Sequence, residues 1–384
     1  MGALVFLKPI FDMFYAYQVL DYALLLLSIV LFLMALQRIG RHVYSIDLCV
    51  LLIMGTLTGT FLRTASGFSV YVKMVSAYMM YFIGRGFFAG KEKCKRYLLI
   101  SQIIVICANF AWFAMGKGFV IWGNANTFKG LYFYKTDLAI AMVQALCTVL
   151  YFARGWGVRF ATICATASMI VLSNSRAAII IFLMVLLLYA LYKWEHITGK
   201  RLIVDTKLIL GGGTAVFAML LLTVGILSLP IFDSRDFITF DLKNLFSTSN
   251  LQGRDNVWAG ILTKFNAANT FEKFFGIDFV SDVWTSLKEE TFDSHNSYIK
   301  IMYSTGYVGL SLFVLFAILY IRRLNKVNDR SLSYFSLTCS AVFLLQSISQ
   351  ASIAFTQMTW IWMLFVGISV SESVNSSALH DREK

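Results

Sequence analysis

Three residues offer charge or proton transfer where an apolar chain has little reason to keep either. They are Arg176 in MIVLSNSRAAIIIFLMVLLLYAL, Arg254 in LQGRDNVW and His295 in ETFDSHNSYIKIMYSTGYVG. Arg176 stands between two strongly apolar runs. A charge beside hydrocarbon costs ~2.5–3.5 kcal/mol at a helix centre and less near the ends. It is either an interfacial arginine that snorkels to headgroups or, with Ser173, Asn174 and Ser175 beside it, an anion clamp. Arg254 follows Gly253 and precedes Asp255, so by itself it reads as half of a surface ion pair. Arginine stays charged at any working pH and binds phosphate bidentately. His295 either closes a helix start, with Asn296 as a cap, or acts as a base. A helix N-terminus disfavours the imidazolium, and a neutral imidazole near pH 7 accepts a proton. Two arginines and a histidine on one side of a membrane suit a lipid-linked phosphate or pyrophosphate.

More positive charges are candidates for the same side. Lys129 and Lys135 lie in KGLYFYKTDLAIA, Arg63 follows an apolar run, and Lys73 lies inside another. With Asn296 they form the candidate substrate-binding set. Asp293 and His295 are half of a metal site, but a divalent ion needs further ligands. There is no second histidine on that side and no DxD, so no metal and no cofactor is expected. Trp258 and Trp284 serve either to stack on sugar rings or to pack helices.

The elements that must position these residues are set by composition. The chain has 384 residues, of which 58% are hydrophobic and 14% charged, and its mean hydropathy is +0.71. A soluble domain is about 45–50% apolar and about 25% charged, so lipid is the main solvent here. Only two prolines, Pro9 and Pro230, interrupt the chain, which suits long helices. The six cysteines show no CxxC or zinc-like spacing. The N-terminus lacks the pattern of a cleavable signal. Eleven stretches approach the about 20 apolar residues a spanning helix needs: 20–36, 46–62, 69–88, 97–116, 136–153, 158–174, 177–193, 207–229, 298–321, 331–349 and 357–371. Residues 1–19, with Lys8, Pro9 and Asp12, read as an interfacial or short membrane segment, so the count is 11 or 12.

Alternating spans put the basic segments 37–45, 85–96, 154–159, 194–207 and 322–330 on one side. By the positive-inside bias that side is the cytoplasm. The tail, 372–384, falls there with His42, His196 and His380. The opposite side holds one large loop, 230–297. It carries ten acidic and six basic residues, net −4 in a chain of net +12. Val257, Trp258, Ile261, Leu262 and Phe265 recur at helical spacing in it, and a second short helix is predicted from Ser281. The expected architecture is an all-α polytopic membrane protein. Its parts are spans 1–8 over 20–229, the external loop with short amphipathic helices, and spans 9–11 over 298–371. The charge excess follows topology, so no nucleic-acid partner is expected.

In order and spacing, SNSRAA, GRDNVW and HNSYIKIMYSTGYVG resemble the O-antigen polymerase and O-antigen ligase superfamily of bacterial envelope proteins. KGLYFYKTDLAIA is similar to that family's segment before its first core helix. The resemblance covers roughly 125–320. It implies a GT-C-like fold in the bacterial inner membrane and a metal-independent, inverting glycosyltransferase. The implied donor is a glycan on undecaprenyl pyrophosphate, and a polysaccharide co-polymerase is an implied partner. Arg176 and Arg254 would hold the donor pyrophosphate, and His295 would act as or position the base. The modest outer loop favours the polymerase over the ligase. A flippase would show inverted repeats and mid-membrane charges, and the sequence has no internal repeat.

Overall fold

The computed structural model describes residues 1–14, 17–40, 43–122, 125–199, 254–279 and 294–382. The expected span 207–229, the helix from Ser281 with Trp284, and Asp293 lie outside the described residues. The described chain is helical apart from one hairpin. Its helices are α1 (Gly2–Asp12), α2 (Gln18–Ile39), α3 (Ser45–Thr64), α4 (Phe68–Gly86), α5 (Lys91–Ala114), α6 (Lys135–Phe152), α7 (Trp156–Ser173) and α8 (Arg176–Thr198). They continue with α9 (Arg254–Ala267), α10 (Thr270–Phe275), α11 (Ser297–Leu324), α12 (Arg330–Ser349) and α13 (Thr356–Arg382). Among the described residues eight helices are long and apolar enough to cross a membrane, namely α2, α3, α5, α6, α7, α8, α11 and α12. The chain is thus a multi-pass, mainly α-helical membrane protein by length and composition.

Two expected spans, α4 and α13, are helical but less apolar. The reason is their surroundings. Every residue from Ser76 to Arg85 and from Met358 to Ser373 is buried. The two helices cross at backbone contact: a side chain on Gly84 would strike the Leu364 carbonyl, and one on Gly367 the Tyr81 carbonyl. Small residues permit such crossings in membranes. A helix that faces protein on all sides does not need the hydropathy that lipid demands.

The chain divides into two compact units. One comprises the described residues among 1–27, 89–245 and 327–342; the other those among 28–88, 246–326 and 343–384. In the second unit α3, α4 and α13 are locked by a buried network. Arg85 meets Asp47 with Nε–Oδ1 at 3.0 Å and Nη2–Oδ2 at 2.7 Å. Tyr81 donates to the same carboxylate, and Arg85 Nη1 reaches Ser371 Oγ at 3.2 Å. Arg85 was expected to mark a basic cytoplasmic loop. It is instead the last turn of α4, 9% exposed. Lys95, from the same basic stretch, lies on α5 and pairs with Asp329 and with Glu92. Burial favours the neutral form of the Asp329 carboxyl, but hydrogen bonding to Lys95 and its charge outweigh this and lower the pKa.

In the first unit α1 packs along α5 and turns Leu4, Val5, Lys8 and Asp12 inward. At 11 residues it is too short to span. A two-stranded antiparallel hairpin, Phe119–Trp122 with Ala125–Phe128, follows α5. No strand is among the elements expected from the sequence. The available signal was a Gly-Asn pair directly after the β-prone run FVIW.

Candidate functional site

In the second unit, α11 begins with a tight polar turn. His295 has φ +46°, a left-handed conformation that a residue with a Cβ adopts only when its surroundings enforce it. The neighbours do so. Ser294 Oγ donates to the Asn296 carbonyl at 3.0 Å. Asn296 caps α11, its Oδ1 accepting from Tyr298 N at 2.9 Å and Ile299 N at 3.1 Å. Its Nδ2 donates to the Ile348 carbonyl at 3.2 Å. The cap expected at Asn296 is therefore present, and with both ends of its amide engaged the residue positions His295. His295 itself is half-buried.

The first amphipathic helix of the loop lands on this turn. The expected apolar face of α9 forms: Val257, Ile261 and Phe265 are buried with Tyr303 of α11. Leu262, also expected on that face, is 39% exposed. Trp258 Nε1 donates to the Ser294 carbonyl at 2.8 Å. Trp258 thus packs the helix against the histidine turn, and this fixes the helix that begins at Arg254.

The short α10 segment wedges into a break in α11. Gly306 has φ +66° and ψ −166° inside the helix. A side chain there would strike the Phe274 carbonyl, and one on Gly276, φ +90°, would strike that of Ser304. Ile277 N donates to the Tyr303 carbonyl at 2.8 Å. Arg63, expected to bind substrate, uses its guanidinium here: it donates to the carbonyls of Gly276 and, at 3.0 Å, Ile277. It also lies 5.4 Å from the Phe271 ring centroid. Arg63 accordingly fastens the α10 segment to the end of α3. Lys73, on α4, is exposed.

In the first unit, the SNSR cluster makes the tight helix–helix turn that its sequence suggests. Asn174 ends α7 in the left-handed region, φ 50°, Ser175 holds the extended N-cap position of α8 without a side-chain capping bond, and Arg176 is the first residue of α8. Lys129 and Lys135 flank another built turn. Lys129 N donates to the Gly118 carbonyl at 2.8 Å, closing the hairpin. Asn109 Oδ1 of α5 accepts from Leu131 N at 3.1 Å. Lys135 opens α6, and Asp137 Oδ2 accepts from Tyr134 N at 3.2 Å. Both lysines are half-buried.

Behind that turn, Lys8 and Asp12, which suggest an interfacial segment by sequence, are instead buried. Lys8 pairs with Asp12 and, at 3.4 Å, with Asp21. Burial raises the Asp12 carboxyl to about 6, against the attraction of Lys8. Burial, then the nearby charges of Asp12 and Asp137, push the Tyr132 phenol far above its ordinary value. The signal was Lys8 and Asp12 at i, i+4 in an apolar helix.

Among the described residues no group of three or more His, Cys, Asp or Glu could hold a metal ion. No protein-family model matches the chain, and no curated protein matches it.

Proposed function

We propose that the protein is a glycosyltransferase of the O-antigen polymerase type. It extends a glycan carried on undecaprenyl pyrophosphate at the outer face of a bacterial inner membrane. The observation that carries the reading is the turn at His295. It has a strained, half-buried imidazole at the head of α11, fixed by the Asn296 cap and by Trp258 of the helix that begins with Arg254. Strain retained at such a position is a mark of functional sites.

In the proposed reaction an acceptor sugar hydroxyl attacks the anomeric carbon of the donor. The bond from that carbon to the pyrophosphate oxygen breaks, and undecaprenyl pyrophosphate leaves. His295 takes or directs the hydroxyl proton, a contribution of about 10²–10⁴-fold. The departing pyrophosphate gains charge in the transition state, so cationic donors act there more than on the bound substrate. Arg176 and Arg254 fill that role. Lys129, Lys135 and Lys73 add to the positive field that gathers the anionic lipid, and a chain-length-regulating co-polymerase is the expected protein partner.

The test is reconstitution with a lipid-linked repeat unit alone, with products resolved on a gel. A ladder of longer chains is expected. Product only after a second acceptor lipid is added would make the protein a ligase instead. Transfer of labelled lipid between leaflets with no new glycosidic bond would make it a flippase and sink the proposal.

A further inference from the structure

In the first unit, the end of α6, the start of α7 and the end of α8 come together beside the basic segments 154–159 and 194–207. Two cations stand there on different helices: Arg159 in the first turn of α7 and Lys193 near the end of α8. Both are half-buried. Arg159 donates through Nη2 to the carbonyl of Ala153, the residue that ends α6. The Tyr189 hydroxyl approaches the same guanidinium. Lys193 follows Tyr189 by one turn. Its ammonium lies 5.6 Å from the Tyr189 ring centroid and 5.8 Å from that of Tyr192. Both rings pack on Tyr151 of α6, with centroids 5.8 and 5.3 Å away. Thus α7 and α8 each hold one cation beside the end of α6.

That arrangement carries a repulsion. Arg159 and Lys193 are near enough for the charge of one to act on the other, and like charges oppose each other most where water is partly excluded. Among the described residues no carboxylate pairs with either. The acids close by are committed elsewhere: Asp329 to Lys95, and Glu195 to Arg330 at 3.9 Å and to the Tyr334 hydroxyl. A ring face under an ammonium relieves part of the cost but brings no net negative charge. An anion between the two cations relieves the rest, and arginine and lysine are both phosphate binders.

The surroundings indicate which phosphate. Trp156 and Phe160 stack at 5.2 Å, yet they are 72% and 52% exposed. Trp194, the neighbour of Lys193, is 62% exposed. Exposed tryptophans at the ends of apolar helices lie at headgroup level. Beyond them α7 and α8 are both long and apolar enough to cross a membrane and present most of their length outward. The cations therefore open to the headgroup layer, with apolar helix surface next to them for acyl chains. A soluble phosphate would make no use of that surface.

We propose that Arg159 and Lys193 form a binding site for the phosphodiester headgroup of an anionic phospholipid, in the leaflet on the side of the basic segments. The site does not rest on the proposed reaction, which concerns the opposite side.

The experiment is native mass spectrometry of the full-length protein in detergent, titrated with phosphatidylglycerol and with phosphatidylcholine of the same acyl chains. Each cation near a headgroup is worth about fivefold, so wild type is expected to prefer phosphatidylglycerol by about 25-fold. Lys193→Gln is expected to lower that preference by about fivefold and Lys193→Arg to keep it. Arg159→Gln with Lys193→Gln should abolish it. Lys93→Gln, which removes an exposed cation of α5 from another basic segment on the same side, is expected to leave it unchanged. The thermal midpoint of Lys193→Gln should stay near wild type, because its ammonium has no ion pair to lose, so the test stands even if the double variant fails to fold. Equal retention of the two lipids by wild type overturns the site, as does an unchanged preference in Lys193→Gln. An equal loss in Lys93→Gln would show diffuse surface charge in place of a site. Displacement of the lipid by millimolar inorganic phosphate would show a site for a free anion and overturn the lipid.

Discussion

Asn296 and Asp12 show how single side chains here join structure to chemistry. Asn296→Ala removes the cap of α11 and the bond to Ile348 together. Loss of a cap costs about 0.5–2 kcal/mol. A drop of that size in stability is expected in detergent denaturation, with a larger proportional fall in glycan elongation because His295 loses its fixed backbone. The isosteric Asn296→Asp keeps the two accepting bonds and is expected to recover most of the stability. Asp12 gives a pH signature. Its carboxyl is raised from 3.8 to about 6 in the fold, so between those values the native state binds more protons than the unfolded chain. Stability from this group is therefore highest below about pH 4 and declines as pH rises towards 6, at up to about 1.4 kcal/mol per unit. Thermal midpoints measured across that window should lose this slope in Asp12→Asn. An unchanged slope would mean that another group sets it.

At the level of elements, the informative features are helices whose faces meet protein instead of lipid. The α4–α13 crossing depends on Gly84 and Gly367. Gly367→Leu is expected to separate the two helices, break the approach of Ser371 to Arg85 and abolish folded yield. Gly55→Leu on α3, where a side chain would have open space, is expected to be tolerated. Comparable yields from the two variants would show that the close crossing is dispensable. The apolar periodicity of α9 was legible, because Val257, Ile261 and Phe265 share one face whatever they pack against. The α10 wedge was not. A glycine at 306 in an apolar run reads as a tolerated small residue, and only the approach of the Phe274 carbonyl explains why it has to be glycine. The polar run QSISQASIAFTQ (346–357) is a similar case. Serine and glutamine at a helix end look like an ordinary boundary until their burial is known.

For the whole molecule, the proposed reaction is tested at its two named ends, the base and a leaving-group donor. His295→Ala and Arg176→Ala are each expected to lower turnover by about 10²–10³-fold or more, on the scale of lost transition-state donors and bases. Thermal midpoints should stay near wild type. Near-normal turnover in either variant would remove that residue from the mechanism. The linear chain was sufficient for the helical class, most helix positions, the tight SNSR turn, the Asn296 cap and the apolar face of α9. Those follow from local chemistry: hydropathy over about 20 residues, periodicity, and the capping preferences of short polar side chains. Packing alone determined the roles of the charges. Arg85 and Lys95 carry the same charge as any basic loop residue, and Arg63 looks like any candidate anion binder. Which of them meets Asp47, Asp329 or the carbonyls of Gly276 and Ile277 depends on residues tens to hundreds of positions away. A charge is a property of one residue, but its use is set by what the fold places within about 3 Å of it.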